Sequence, residues 1–523
     1  MHVLTNEQMQ KVDEETIARV CPGLELMERA GRGVAEVIRH EYGGESRKAV
    51  IFVGPGNNGG DGLVVARYLA QAGWRCSVHL QKEPGKFTPD TAKNYQRLRD
   101  LMAENDGVVE FDAAGPDWPE LVLDDLDDAD VVVDAILGTG VSGAPRGKAL
   151  EMIMQVNECG VPVVSIDMPS GVNGTTGEAP GEAVAAESTL TIGAPKVGSL
   201  FHPGKWHCGE VAVVDIGFDD DVIAKYAAGY VLLDKQEAAS RLPYRAPELH
   251  KFDAGTLVMV AGSAQYRGAA LLAGEAALRS GCGMVYLCVP DVIRDAIDVA
   301  LREVITVPIP SAQGGTAARG AFDAIRPYLE RADAVAIGPG MGRSAETDEF
   351  IRTFVKRAGL PAVVDADAIT AFTGRSELFA GLEAPVAITP HSGELKRLLD
   401  MEIPEAPLER LAATTEIAAR LGVTLIHKGA TSLVAGPDGG VWINTSGNSA
   451  LATGGTGDVL TGLVAGFMAQ GAEPLDAACV AVWLHGRAGE RASEEMGKRG
   501  VIAGDLLWAM GGVMVELEAL AGD

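Results

Sequence analysis

Short β-branched runs punctuate the first part of the chain: AVIFV at 49–53, CSVHL at 76–80, VVVDAI at 131–136, VPVVSI at 161–166, TLTI at 189–192 and VAVVD at 211–215. Ahead of them, Thr5 and Gln8 have the spacing of a capping box, and Met9, Val12 and Ile17 mark one face of an opening helix. Met27, Ala30, Val34, Val37 and Ile38 mark a second helix. Helical stretches separate the first four runs. Apolar runs alternating with helices predict a parallel sheet covered on both faces.

The first domain should end between Gly217 and Leu233, after which the pattern restarts. TLVMVA (256–261), MVYLCV (284–289), DAVAIG (333–338), PAVVD (361–365), PVAIT (385–389) and VTLIH (423–427) are strand candidates with helices between them. SLVAG and VWIN, joined through PDGG within 432–444, predict a hairpin around an Asp-Gly turn. Three helical patterns close the chain, at 456–470, 474–495 and 503–521. No short period repeats, so the expectation is two unlike α/β domains, 1–225 and 235–523. A chain of 523 residues is long enough for two large domains or about three smaller ones.

Charge narrows the function classes. Lys and Arg number 44 against 72 Asp and Glu, a net charge of −28. That balance excludes general nucleic-acid binding, which depends on cations neutralising phosphates, and docking on an anionic membrane. Small anionic ligands remain open, because backbone N–H groups can hold them locally. With 47% hydrophobic and 22% charged residues, the chain can bury a sizeable core. The 65 glycines suit many tight strand-to-helix turns. Seven scattered cysteines without a CxxC pair speak against a disulfide framework and a structural zinc site. No signal-peptide segment and no run of about 18 apolar residues occurs, so a cytoplasmic location is expected. The clusters Asp124-Asp125, Asp127-Asp128 and 219–221 are expected to be solvated loops and helix ends.

Three loops of the first half follow strand ends. GPGNNGGDG (54–62) contains Gly54, Gly56 and Gly59 in the G-x-G-x-x-G spacing of a dinucleotide site, and Glu83 sits near the place of a ribose-binding acid. A nicotinamide dehydrogenase is therefore one reading. Against it, Pro55 stiffens the turn, and Asp61 brings negative charge to a helix start where pyrophosphate would lie. VVVDAILGTGVSGA (131–144) places Asp134 at a strand terminus, and VVSIDMPSGVNG (163–174) does the same for Asp167 and Ser170. In an open parallel sheet such loops can share one crevice. Asn58, Asp134 and Ser170 offer oxygen ligands and one formal charge, which suits a weakly charged hard cation better than zinc or iron.

The second half has one dominant motif, GNSALATGGTGDVLTG at 447–462. Gly454, Gly455 and Gly457 free successive N–H groups to converge on an anion at a helix start, with Asp458 in the first turn, where the helix dipole favours its ionised form. An anion cradle beside a carboxylate suits deprotonation of a hydroxyl as a phosphoryl group approaches. HKGATS (427–432), GPGMG (338–342), DADA (365–368) and TPHSGE (389–394) follow other strand ends. They bring Lys428, two hydroxyl residues, His391 and Glu394 to the same edge.

GPGNNGGDG, DAILGTG and IDMPSG together resemble the signature loops of the NAD(P)H-hydrate epimerases over about residues 1–225. The resemblance implies a Rossmann-like fold and epimerisation at the hydroxyl-bearing carbon of a hydrated nicotinamide ring. It also implies that Asn57, Asn58, Gly59, Gly60 and Asp61, with Gly138, Thr139, Gly140, Val141, Ser142, Gly143 and Ala144, contact the dinucleotide. Asn58, Asp134 and Ser170 would hold potassium, and Asp167 would lie at the reacting ring, where proton movement needs a positioned acid or base.

GSAQYRGAALLA (262–273), GPGMG, TPHSGE, KGATS and GGTGD resemble the ADP- or ATP-dependent NAD(P)H-hydrate dehydratases, of ribokinase-like fold, over about 235–523. By that resemblance Lys428, Gly429, Ala430, Thr431, Ser432 and Gly457 bind the adenine nucleotide, with Mg2+. Ala270, Gly340, His391 and Asp458 face the hydrate, with Asp458 as base. His427 departs from the pattern, which has an apolar residue more often at that place. Both halves in this order are similar to the bifunctional bacterial NAD(P)H-hydrate repair enzymes. Their expected ligands are the hydrates NADHX and NADPHX, with ADP consumed to AMP and phosphate, and a homo-oligomer is the expected assembly. Two other readings remain: a ribokinase-like small-molecule kinase fused to a nucleotide-binding domain, and a nucleotide-sensing protein without turnover.

Overall fold

The computed structural model describes the chain except for residues 44–46, 104, 105, 114, 116, 141, 142 and 523. The chain folds into two compact units, 2–228 and 229–523, with Met1 grouped with the second.

In the first unit seven strands form one sheet: β1 (Lys48–Val53), β2 (Arg75–Leu80), β3 (Val108–Asp112), β4 (Val131–Ala135), β5 (Val163–Ile166), β6 (Ser188–Ile192) and β7 (Glu210–Val214). Their spatial order is 3-2-1-4-5-6-7, and every pairing is parallel. The first six follow the Rossmann order, with the direction of winding reversing between β1 and β4. β1 and β4 are buried throughout, as strands covered on both faces must be. The opening helix Asn6–Arg19 starts with the expected reciprocal cap between Thr5 and Gln8.

The second unit carries β8 (Tyr230–Leu232), β9 (Thr256–Val260), β10 (Met284–Pro290), β11 (Ile305–Ile309), β12 (Ala334–Ile337), β13 (Ala362–Val364), β14 (Val386–Ile388), β15 (Thr424–His427), β16 (Ser432–Gly436) and β17 (Gly439–Asn444). They lie in the order 11-10-9-12-13-14-15-16-17-8, parallel from β11 to β15, with the hairpin β16–β17 antiparallel. Winding again reverses, between β9 and β12. The apolar helices Thr456–Ala469, Pro474–Met496 and Ala503–Ala521 pack into the main core of this unit.

β3 and β11 escape the apolar pattern for a common reason: each is an edge strand. Val109 on β3 is 48% exposed, and β11 contains Pro308, which only an edge or a bulge tolerates. The acidic cluster near 125 also differs from expectation. Asp125 is buried, ion-paired with Lys48 at 2.7 Å and bonded to His79 Nε2 at 2.7 Å. The amphipathic helix Trp118–Asp127 turns that position inward, and a buried carboxylate persists only with such partners. Asp219, by contrast, caps the helix Asp220–Tyr226 as a helix-end residue should. All seven cysteines are free thiols. Among the described residues no helix is long and apolar enough to cross a membrane.

Candidate functional sites

Each unit gathers its polar motif residues at the carboxyl ends of its strands. In the first unit the helix after β1 begins at Asn57, earlier than five glycines in the nine residues 54–62 would indicate. Close packing explains four of them, Gly54, Gly59, Gly60 and Gly62. A Cβ on Gly59 would lie 1.9 Å from Gly54 O, and one on Gly62 would lie 2.6 Å from Ala135 Cβ. Asp61 is consequently one turn inside the helix rather than at its mouth. Burial, followed by the nearby Asp167 and Asp13, pushes its carboxyl well above the usual range. This shift towards the protonated form lessens the repulsion expected between the loop and a pyrophosphate.

Asn58, Asp134 and Ser170 converge on Leu137. Asn58 Nδ2 donates to Leu137 O at 2.9 Å, Ser170 Oγ accepts from Leu137 N at 2.8 Å, and Asp134 accepts from Ser170 N at 2.8 Å and from Ser165 Oγ at 2.9 Å. Asp134 is fully buried, and burial raises its pKa in spite of these donors. Asn58 Oδ1 is buried without a partner. Gly138 fits against Asn58, where a Cβ would come within 3.0 Å of the Asn58 Cβ, and Thr139 O accepts from Asn6 Nδ2 at 2.9 Å. Asn57 Oδ1 accepts from Thr88 Oγ1 at 2.8 Å. Gly140 and Gly143 face open space, and Val141 and Ser142 lie outside the described residues.

Asp167 adopts a left-handed backbone with φ of 65°, an uncommon conformation for a residue with a side chain. Its Oδ1 accepts from Ile192 N at 3.1 Å and from the Lys196 ammonium, which is itself 1% exposed. Lys196 also donates to Thr191 Oγ1 at 3.2 Å and Ile192 O at 2.9 Å. Asp13, on the opening helix, is pushed up to about 6 by burial, with Lys196 opposing and Asp167 adding to the shift. Lys196 is thus paired with Asp167 and acts through space on the carboxyl groups of Asp13 and Asp61. Sequence reasoning missed Lys196 and Asp13. No local signal marks either, since one lies in a loop after β6 and the other on a helix far away in sequence.

In the second unit Gly455 takes φ of 95° and caps the helix Thr456–Ala469, which places Asp458 in its first turn. Burial, followed by the charge of Asp365, pushes the Asp458 carboxyl up to about 7, with Lys428 pulling the other way. The helix dipole favours the ionised form while burial and Asp365 oppose it, so near neutrality both forms are present. Lys428 Nζ lies 3.3 Å from Asp365 Oδ1 and 3.9 Å from Glu394 Oε2. A Cβ on Gly457 would be 3.6 Å from the same ammonium. Asp365 is buried and accepts from Thr389 Oγ1 at 2.5 Å and from Thr461 Oγ1 at 2.6 Å. Sequence reading had the DADA run at this edge yet gave Asp365 no role.

His391 caps the helix Ser392–Leu399, its Nδ1 accepting from Gly393 N at 3.0 Å while Glu394 Oε2 accepts from His391 N at 2.9 Å. Its side chain remains 54% exposed. At the winding reversal Ser263 Oγ donates to Gly340 O at 2.8 Å, and Gly340 has φ of 60°. Ala270 is fully buried on the helix Arg267–Arg279, and a Cβ on Gly262, just past the end of β9, would come within 3.1 Å of its methyl. Ala269, one position earlier, is the residue against Gly340, where a Cβ would come within 2.7 Å of its methyl. The 428–432 turn is closed by Ser432 Oγ donating to Gly429 O at 3.2 Å, with Thr431 buried and Ala430 exposed.

Comparison with known proteins matches both halves. Residues 23–198 fit the family profile of the YjeF-related protein N-terminus, and 257–510 fit that of NAD(P)H-hydrate dehydratase. A bifunctional NAD(P)H-hydrate repair enzyme of Moorella thermoacetica is 36% identical, covering 99% of this chain and 97% of that protein. The chain belongs to the bifunctional NAD(P)H-hydrate repair enzyme family. A second member, from Salinibacter ruber, is 38% identical over 97% of this chain and 94% of its own length. Among solved structures, an ADP/ATP-dependent NAD(P)H-hydrate dehydratase from Bacillus subtilis, co-crystallised with ATP and Mg2+, is 30% identical with a TM-score of 0.48, covering 56% of this chain and 100% of that one. A Rossmann-like unit followed by a ribokinase-like one accords with the two profile matches for this repair-enzyme family member.

Proposed function

We propose that the chain repairs hydrated nicotinamide dinucleotides in two steps. The first unit interconverts the R and S hydrates of NADH and NADPH. The second dehydrates the S epimer with ADP, yielding the reduced dinucleotide, AMP and phosphate. The observation that carries this reading is the Asp458 carboxyl, poised at about 7 in a helix first turn beside Lys428. A base near neutral pKa can take the proton of the hydrate's hydroxyl as the phosphoryl group of ADP reaches the oxygen. N–H groups at the start of Thr456–Ala469 face the developing negative charge. AMP departs as the phosphoryl group transfers, the oxygen then leaves as phosphate, and loss of a proton from the adjacent ring carbon restores the double bond.

In the first unit Asp167 and Lys196 provide the proton donor and acceptor that epimerisation at a hydroxyl-bearing carbon requires, while the raised pKa of Asp61 lessens its repulsion of a phosphate nearby. Asn58, Asp134 and Ser170 fit potassium: the unpartnered Asn58 Oδ1 and the buried Asp134 carboxylate offer oxygens of low total charge. The ion would supply a fixed positive charge that orders these loops. Magnesium would be held mainly by the phosphates of the nucleotide, because no cluster of three or more His, Cys, Asp or Glu side chains suited to a metal exists among the described residues. The acidic composition and the nature of the substrates support a cytoplasmic setting.

The test is recovery of reduced-nicotinamide absorbance from a mixture of both hydrate epimers with ADP. One phosphate released per dinucleotide restored supports the reading. A phosphorylated product that accumulates with ATP, with no recovery of absorbance, refutes it in favour of a small-molecule kinase.

A further inference from the structure

Arg410 lies on the helix Pro407–Leu421 with only 7% of its surface exposed. A guanidinium so buried ordinarily meets a carboxylate, since an unpaired interior charge gives up hydration for too little in exchange. Here its partners are backbone carbonyls. Nη1 donates to Thr431 O at 2.9 Å, Nη2 makes a longer contact of 3.4 Å to His427 O, and Nε is buried without a partner. Among the described residues no carboxylate forms an ion pair with Arg410, and Glu405 acts on it only through space.

The two carbonyls flank the 428–430 stretch, so the guanidinium spans the turn from beneath. Gly429 is the point of closest approach: a Cβ there would lie 2.6 Å from Nη2. Close approach, rather than a left-handed backbone, therefore requires that glycine.

His427 completes the arrangement. Burial and the Arg410 cation hold its imidazole down to about 3, so the ring is neutral. Thr414 Oγ1 donates to Arg410 O at 2.7 Å, so in its 3.0 Å contact with His427 Nδ1 the ring is the donor. His427 Nε2 then accepts from Ser392 Oγ at 3.0 Å. The departure at His427 thus ties the end of β15 to both flanking helices without adding charge.

Lys428, the cation on the turn itself, is already engaged by Asp365 and Glu394. In a chain of net charge −28, an unpaired cation here adds positive potential to that of the backbone N–H groups. We propose that Arg410 is the positioning residue of the nucleotide site, bracing the 428–432 turn from behind and placing an uncompensated positive charge beneath it to favour a phosphate-bearing ligand. The inference rests on the reading that ADP lies on this turn.

Full-length Arg410→Met and Arg410→Lys variants test it, with ADP varied in steady-state kinetics and ADP binding measured by calorimetry. Losing a charge-assisted anchor predicts a rise of about ten- to hundredfold in KM and Kd for ADP in Arg410→Met. Arg410→Lys should rise less, since it keeps the charge but cannot span two carbonyls. At saturating ADP, kcat, the KM for the hydrate and the epimerisation rate should hold. If Arg410→Met does not fold, Gly429→Ala presses a methyl onto the guanidinium from the turn side and should weaken ADP in the same sense. An unchanged ADP Kd in a folded variant overturns the role, as does equal weakening of ADP and hydrate, which marks general damage. Wild-type chain that binds no ADP refutes the nucleotide reading itself and this inference with it, whereas normal wild-type binding isolates the failure to Arg410.

Discussion

Asp365 and Thr461 meet across 96 residues of sequence, Thr461 Oγ1 donating to Asp365 Oδ2 at 2.6 Å. Thr461 lies three positions beyond Asp458 on the same helix face, and the other Asp365 oxygen holds Lys428 at 3.3 Å. One buried carboxylate thereby registers the candidate base, the lysine and the ends of two strands. Its negative charge is also the second cause, after burial, of the raised Asp458 pKa.

That relationship sets the pH dependence of dehydration. With Asp458 at about 7 and ionised only above it, kcat/KM for the hydrate should climb with pH and level off above about 7. Asp365→Asn removes a negative neighbour and frees Lys428 to act on Asp458. Both changes favour the ionised base, so the acidic limb should move to lower pH. A pH–rate profile of the two proteins decides it, and an unmoved limb in the variant would exclude Asp365 from tuning the base.

Asp458→Asn should lose about 10²–10⁴-fold in dehydration while still binding ADP, because an amide cannot accept the hydroxyl proton. The same change should alter stability in a pH-dependent way. A carboxyl whose folded-state pKa is raised binds its proton more tightly in the folded state, so its contribution is lost as pH rises. Here the loss runs from about 4 to about 7, the interval between the ordinary and the folded values. The melting temperature of Asp458→Asn relative to wild type should therefore rise across that interval and then level off. Parallel melting curves at all pH values would contradict the assignment.

In the first unit, breaking the Asp167–Lys196 pair one side at a time leaves an uncompensated buried charge. Lys196→Met should destabilise by about 3–5 kcal/mol, and adding Asp167→Asn should recover part of that. Epimerisation should be lost in both proteins while the S hydrate is still dehydrated. Starting from mixed epimers, each variant should show a fast phase and then a slow one that matches spontaneous epimerisation in an enzyme-free control. A single fast phase to completion would remove this pair from the epimerisation step.

Asp134→Ala should reduce epimerisation and abolish its dependence on potassium, with the rate of S-hydrate dehydration unchanged. Potassium titrations of both activities provide the check. Wild-type epimerisation that proceeds equally in potassium-free buffer would contradict a role for the ion.

Local pattern alone determined much of this protein. Apolar runs and helical periods mark most of the strands, the β16–β17 hairpin and the three closing helices, because each depends on contacts a few residues apart or on a repeating buried face. The glycine-rich motifs, Asp167, Lys428 and Asp458 are legible for the same reason: short spacings bring glycine, charge and a helix start together. Tertiary structure decided the rest. Lys196 reaches Asp167 across 29 residues and Lys428 reaches Asp365 across 63 because parallel winding returns successive strands to one edge, while Arg410 reaches Thr431 across 21 from the helix Pro407–Leu421 that precedes β15. Protonation belongs here too: whether Asp61 and Asp458 carry charge depends on burial and on distant carboxylates, quantities that exist only once the chain has folded.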